Sequence, residues 1–169
     1  LTPARHLAFW KFIIAACREL CTYNGVSYPG LIPAAVMFPE FTENAEWMRA
    51  GEANLRLSLE QRTSPEGAWD THSISYQTVS VPWSARVLEF LRANPGHAQT
   101  EAMADMVTTQ IGKLLGLMLW LAMPNGGLPN IGDTYGRCDW SPAVLTPKVT
   151  SFIASQFPPD EQERLNAIP

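Results

Sequence analysis

The stretch PARHLAFWKFIIAACRELCT, residues 3–22, decides the fold class of this chain. Thr2 is placed to cap a helix there, and Pro3 suits the first helical turn. Apolar residues recur at spacings of three and four in two stripes: Leu7, Trp10, Ile14, Cys17 and Cys21, then Phe9, Ile13, Ala16 and Leu20. Two stripes are typical of a helix that is covered on more than one side, as in layered multi-helix folds.

The rest of the chain continues the helical pattern, with Thr42 and Thr100 as predicted N-caps and Pro82 as a kink or a fresh start. Strand signals are nearly absent, because apolar and polar residues do not alternate strictly and no hairpin is flanked by β-branched runs. We therefore predict an all-α fold. The further helices are expected at 31–38, from the Thr42 cap to about 62, at about 76–94, from the Thr100 cap to about 123, and at 147–156.

Composition excludes several classes of function. The net charge is −4 with only 3 lysines (11, 113 and 148), which argues against a nucleic-acid partner. The longest apolar run, 111–123, is too short to span a membrane. No His/Cys set has metal-ligand spacing, so no metal or cofactor is expected. The first residues lack the pattern of a secretory signal, and we expect a mature or excised piece of chain.

Two loops concentrate chemically useful side chains. The first, EGAWDTHSISYQ (66–77), combines two carboxylates, an imidazole, hydroxyls, a phenol and an indole. Its structural alternative is a capped loop in which Ser73 or Ser75 caps the next helix and Tyr76 packs inward. The second, LPNIGDTYGR (128–137), could pair Asp133 with Arg137 as a structural ion pair, and its glycines could present Tyr135 on a bent backbone.

Other features have a structural and a functional interpretation. The turn at Tyr23-Asn24-Gly25 is explained by Asn-Gly turn chemistry alone. Tryptophans on helix faces are usually core residues, so the loop residues Trp69 and Trp140 are the better candidates for stacking on sugars.

The order of these segments resembles the helical toroid of heparinase II/III-like proteins and related alginate lyases. Phe38-Pro39-Glu40 is similar to a Phe-Pro-Glu-like element of that family. The family then has Asp-Gly, three residues, Glu, x, Ser, two residues, Tyr and His, and this chain places Glu66-Gly67, Thr71, Ser73, Tyr76 and Gln77 there. A Leu-Pro-x-x-Gly-Asp loop is matched by Leu128 to Asp133. The similarity extends over about residues 7–140.

Several departures from the family pattern affect the expected chemistry. Thr71 stands where the family usually has Glu, and Gln77 where it often has His. Near Asn24 the family usually offers a catalytic His, and here the neighbours are Tyr23 and Gly25. A second family His and a β-sandwich domain are also missing from this sequence.

The resemblance implies a polysaccharide lyase that cleaves a uronate-containing chain by β-elimination. A tyrosine suits the acid or base role when neighbouring cations lower its pKa from about 10, and donors must neutralise the uronate carboxylate. Tyr76, Asn24 and His72 are the implied catalytic residues. The implied substrate-binding residues are Trp69, Arg137, Tyr135 and Asp133, and Arg86 is a further candidate for charge neutralisation.

Two other functions remain open: a non-catalytic glycan-binding or structural helical module, and a toroid glycoside hydrolase with a carboxylate pair such as Asp70 and Asp133. The expected architecture is an incomplete (α/α) toroid of antiparallel helix pairs. Residues 1–157 form one helical domain or fragment in this prediction, with a polar tail at 158–169. The expected partners are an acidic polysaccharide or oligosaccharide, and either missing domains of the same chain or further copies of it. The family resemblance implies a secreted or periplasmic protein.

Overall fold

A computed structural model describes residues 2–22, 30–96, 98–123, 127–134, 155 and 159–160. Within these ranges the chain is helical and has no β-strand, which confirms the all-α prediction. The α-helices are α1 (Pro3–Thr22), α2 (Leu31–Met37), α3 (Asn44–Arg56), α4 (Ile74–Ala93) and α5 (Ala98–Leu121). A π-helical turn, Leu57–Gln61, follows α3 directly.

The first of two compact units comprises Leu1–Ser58. In this unit α2 packs on α3, and α1 contacts both of them. Its most buried side chains are Cys17, Leu31, Ile32, Ala35, Trp47, Met48 and Leu55. An aromatic cluster extends this core, because the ring of Trp10 lies edge-on to those of Phe38 and Phe41, at 5.2 and 5.4 Å between centroids. Phe38 of the Phe-Pro-Glu element is therefore a packing residue.

The second unit comprises Leu59–Pro169, and its described part is built on the packing of α4 against α5. Apolar residues at helical spacing line the contact on both helices, as the sequence pattern predicts. They include Val81, Ala85, Leu88 and Leu91 of α4, and Met103, Val107, Ile111, Leu114 and Met118 of α5.

Two of the predicted N-caps are wrong, and a third is right in position but makes no capping bond. Helix α3 begins at Asn44 with Glu43 in the cap position, and the Thr42 hydroxyl donates to the Glu43 carboxylate at 2.7 Å. Thr100 lies inside α5, where its hydroxyl donates to the Asn94 carbonyl oxygen at 2.9 Å. Ser73 does occupy the cap position of α4, but its side chain makes no capping hydrogen bond. The Ser73 hydroxyl group, like those of Thr42 and Thr100, donates to a nearby oxygen, in this case the Asp133 carbonyl oxygen.

Helix α4 begins at Ile74 and continues through Pro82 to Ala93, so the proline neither ends nor restarts the helix. Hydroxyl groups of the same helix bond its backbone around the proline: Ser80 Oγ donates to the Gln77 carbonyl oxygen and Ser84 Oγ to that of Ser80. The helix predicted to reach residue 62 leaves α-helical geometry after Arg56. The helix predicted at 147–156 and most of the predicted polar tail lie outside the described residues.

Helix α1 buries less than its two apolar stripes suggest. Cys17 is its buried residue, whereas Leu7, Phe9 and Phe12 are exposed. Burial raises the pKa of the Cys17 thiol, and the neighbouring Cys21 thiol adds to this effect. Among the described residues, no helix combines the length and the apolar character that crossing a membrane requires.

Candidate functional site

The first chemically rich loop closes on itself. Thr63 and Trp69 form an isolated antiparallel bridge, and the Asp70 amide donates to the Arg62 carbonyl oxygen at 2.8 Å. Between them, the Gly67 amide donates to the Ser64 carbonyl oxygen at 2.9 Å, which makes a tight turn. We call residues 62–73 the Trp69 loop. These bonds within the loop define its shape.

Gln77, on the first turns of α4, joins the Trp69 loop to both helices of its unit. Its carboxamide oxygen accepts from the Trp69 amide at 2.9 Å. Its nitrogen donates to the carbonyl oxygens of Gly67 at 2.8 Å and Leu114 at 3.2 Å. The side chain is buried, and its three hydrogen bonds join backbone groups of the loop to the backbone of α5.

Gly67 allows the Trp69 loop to approach α5 closely. Its φ is +94°, and a Cβ atom there would lie 2.0 Å from the Lys113 carbonyl oxygen. A side chain at this position would therefore collide with helix backbone, which cannot yield as a side chain can. The Glu-Gly pair at 66–67 is explained by this contact, independently of any role in chemistry.

The second chemically rich loop packs against the start of α4. We call its described part, residues 127–134, the Gly132 loop. The Ser73 hydroxyl donates to the Asp133 carbonyl oxygen at 2.6 Å, and the Ile74 amide donates to that of Ile131 at 3.3 Å. The structure thus brings together two segments that lie about sixty positions apart in the sequence.

Gly132 is required for this contact. Its φ is +70°, and a Cβ atom there would lie 2.0 Å from the carbonyl oxygen of His72. His72 itself has a φ of +51°, an uncommon backbone conformation for a residue with a side chain. Both unusual conformations occur where the two loops meet, which marks this junction as a place where geometry is constrained.

Tyr76 lies in the first turn of α4, and 47% of it is exposed. The inward-packed alternative for this residue is therefore wrong. His72 and Asp133 are also exposed, and both belong to the junction of the two loops. A phenol, an imidazole and a carboxylate are accordingly available to solvent around the N-terminal end of α4.

Trp69 and Arg62 form a cation–π contact, with the guanidinium carbon 5.9 Å from the ring centroid. Arg62 also pairs with Asp70, at 2.5 Å from Nε to Oδ2. Trp69 is only 8% exposed, so most of its ring surface is already in contact with protein. This burial favours packing over sugar stacking as its role. The predicted substrate contact of Trp69 stays a prediction.

The acidic side chains of the Trp69 loop are held in different ways. A hydrogen bond from Ser64, followed by one from its own backbone, lowers the pKa of the Glu66 carboxyl group. Asp70 is neutralised by Arg62. Within the described residues, no group of three or more His, Cys, Asp or Glu side chains is arranged to hold a metal ion.

Several predicted site residues lie outside the described residues: Asn24, Tyr135 and Arg137, together with the alternative stacking residue Trp140. The structure therefore places Tyr76, His72, Trp69 and Asp133 of the predicted set, and all of these belong to the unit Leu59–Pro169.

A family model for the N-terminus of heparinase II/III matches residues 12–163 of this chain. The chain belongs to this heparinase II/III family. Searches of curated proteins and of solved structures found no match. The heparinase II/III match includes both helical units and both chemically rich loops, and it confirms the resemblance that the ordered motifs predict.

Membership of the heparinase II/III family gives Gln77 a new interpretation. From the sequence alone, it counts as a departure from the family's histidine. In the structure it is the buried side chain that holds the Trp69 loop to α5. Arg62 was not predicted at all, although its spacing of eight residues from Asp70, across a Pro-Glu-Gly turn, was a usable signal.

Proposed function

We propose that this heparinase II/III-family chain contributes catalytic residues to a polysaccharide lyase that cleaves a uronate-containing glycan by β-elimination. The observation that carries the proposal is the exposed Tyr76 at the junction of two loops that follow the family's motif order. The buried Gln77 holds the Trp69 loop to α5, and Gly132 allows the second loop to approach His72 closely. Residues held by packed neighbours are suited to catalysis, because their geometry is set before the substrate binds.

In this proposal Tyr76 acts as the base or as the acid of the elimination. The base removes the proton beside the uronate carboxylate, the C–O bond to the leaving sugar breaks, and a double bond forms in the remaining ring. The acid then protonates the leaving oxygen. His72 and Asn24 are further candidates, of which Asn24 rests on the family resemblance alone. Donors to the uronate carboxylate make the adjacent proton acidic enough to remove.

The test is ultraviolet absorbance during incubation with a panel of uronate polysaccharides, since elimination creates a conjugated double bond. We expect absorbance to rise for at least one polysaccharide, and Tyr76→Phe to slow the rise at least a hundredfold, as loss of a general acid or base does (about 10²–10⁴). Trp120→Phe is the control, since it changes another exposed aromatic residue of the same unit. A Tyr76→Phe variant that retains the full rate contradicts the assignment.

One alternative has an observation of its own. Gln77 replaces the family's usual histidine and is fully used in backbone hydrogen bonds, and Thr71 replaces the usual glutamate. These replacements favour a non-catalytic glycan-binding module. In that case the folded protein binds uronate oligosaccharides, but absorbance stays flat across the panel.

The hydrolase alternative requires two free carboxylates facing one bond. Asp70 is already paired with Arg62, which weighs against it. A hydrolase would release reducing ends without any rise in absorbance. Asp70→Asn and Asp133→Asn would each abolish this release, whereas Tyr76→Phe would not.

A secreted or periplasmic location follows as part of the proposal, since heparinase II/III-like proteins are typically found there. The proposed partner is an acidic polysaccharide. Fractionating the cells that produce the protein and detecting it in each fraction with an antibody would test the location.

A further inference from the structure

Arg62, which is not part of the family motifs, has the features of a side chain that binds anions. Its side chain is only 26% exposed, and it is fixed on two sides, by the Trp69 ring and by the Asp70 carboxylate. A guanidinium held in this way has already lost most of its rotamer freedom. A ligand that binds to it therefore pays little additional conformational entropy.

The geometry leaves binding capacity on Arg62. The hydrogen bond to Asp70 uses Nε. Within the described part of the chain, the two terminal amino groups of Arg62 make no further hydrogen bond. A planar fork of donors matches a carboxylate in a bidentate arrangement, which an ammonium group cannot reproduce.

Arg62 lies close to the proposed reaction centre, because its carbonyl oxygen accepts from the amide of Asp70, two residues before His72, at 2.8 Å. The Trp69 loop, which begins at Arg62, ends at the junction with the Gly132 loop, where His72 and Tyr76 are exposed. An anion bound at Arg62 would thus occupy the same loop that leads to the proposed reaction centre. A single sugar carboxylate with neighbouring units on either side fits this description better than an isolated ion.

We propose that Arg62 binds a carboxylate of the glycan, on a sugar unit beside the one that reacts, and thereby selects uronate-rich chains. This inference rests on the proposed function for its ligand class, and on the Arg62–Trp69–Asp70 arrangement for its location. Asp70 acts as a positioning residue that orients the guanidinium and competes weakly with the ligand for it.

The experiment measures binding by calorimetry in a Tyr76→Phe background, so that no probe is consumed. The probes are tetrasaccharides of mannuronate, guluronate, galacturonate and glucuronate, each beside its carboxyl-reduced neutral counterpart. For the tightest charged probe we expect Arg62→Gln to weaken binding at least tenfold. The neutral counterpart should bind both proteins equally.

Two further variants separate ligand binding from a structural role. Asp70→Asn keeps an oxygen that can accept from Arg62 Nε but removes the competing negative charge, so we expect binding of the charged probe to be unchanged or strengthened by up to about threefold. Arg92→Gln removes the matched ion pair with Asp105, which has a similar N–O distance of 2.8 Å, and should leave binding unchanged.

Three results overturn the proposal. They are binding within twofold of the parent in Arg62→Gln, equal weakening by Arg62→Gln and Asp70→Asn, and an absence of binding to every charged probe. The two proposals can fail separately. If binding is tight and depends on Arg62 but absorbance never rises, the Arg62 site is supported and the lyase is rejected. If Arg62→Gln leaves both turnover and substrate affinity unchanged, the lyase is retained and the Arg62 site is rejected.

Discussion

At the scale of single residues, the contact between the two loops depends on the absence of a side chain at Gly132. The residue has a φ of +70°, in the left-handed region that costs other residues about 1–2 kcal/mol. A Cβ atom would also meet the His72 carbonyl oxygen at 2.0 Å. We predict that Gly132→Ala destabilises the junction by about 2 kcal/mol or more, because strain and displacement add together. Hydrogen exchange at the Ile74 amide, which bonds Ile131 across the junction, should become faster.

The same residues set the chemistry that the junction can support. Since His72 supplies the oxygen that faces Gly132, movement of one loop changes the backbone that carries the imidazole. An exchange rate at Ile74 that Gly132→Ala leaves unaltered would show that the two loops do not depend on this contact.

At the scale of secondary-structure elements, α5 contains a glycine, Gly116, at a position where a side chain would fit. Gly116 is exposed within the helix, and a Cβ atom there would meet nothing within 4 Å. We predict that Gly116→Ala raises the free energy of unfolding by about 0.5–1 kcal/mol, because alanine loses less backbone entropy in a helix. Urea titration followed by far-ultraviolet circular dichroism would measure this change.

The Gly116→Ala variant is also a matched control for Gly132→Ala. The substitution is chemically identical, yet the expected sign is opposite, since one site is open and the other is closed by backbone. Destabilisation by Gly116→Ala would reveal that another part of the protein covers this face of α5.

At the scale of the whole molecule, several large apolar side chains of the described residues are exposed. Phe12 of α1 is 67% exposed, and Leu7 and Phe9 lie exposed on the same helix. We predict that Phe12→Gln raises solubility and changes the free energy of unfolding by less than about 0.5 kcal/mol, because little burial is lost. Solubility in polyethylene glycol and urea unfolding would test the two halves of this prediction.

Ile32→Ala provides the contrast, since Ile32 is fully buried in the same unit and its truncation should cost about 2–5 kcal/mol. A large loss of stability in Phe12→Gln would mean that α1 is covered in the folded protein. Three features stay predictions: the assembly with missing domains or further copies, the toroid, and the single-domain boundary at residue 157. The exposed face of α1 is compatible with the first of these.

The sequence by itself determined the helical fold class and the family, because helical periodicity and ordered motifs are local properties of the chain. It also placed α1 at 3–22 to the residue, and located both loops that meet at the start of α4. The spacing of apolar residues along a helix does not depend on which element packs against it, and this is why these predictions were right.

Only the tertiary structure decided which polar groups pair. The Thr42 hydroxyl donates to the Glu43 carboxylate, and the hydroxyls of Thr100 and Ser73 donate to the carbonyl oxygens of Asn94 and Asp133. Gln77 bonds Leu114, which lies 37 positions away, and Arg62 stacks on Trp69. A hydrogen bond depends on which atoms come within about 3 Å after folding, and residues distant in sequence supply many of them. Local patterns therefore located the loops, whereas the role of each side chain followed from packing.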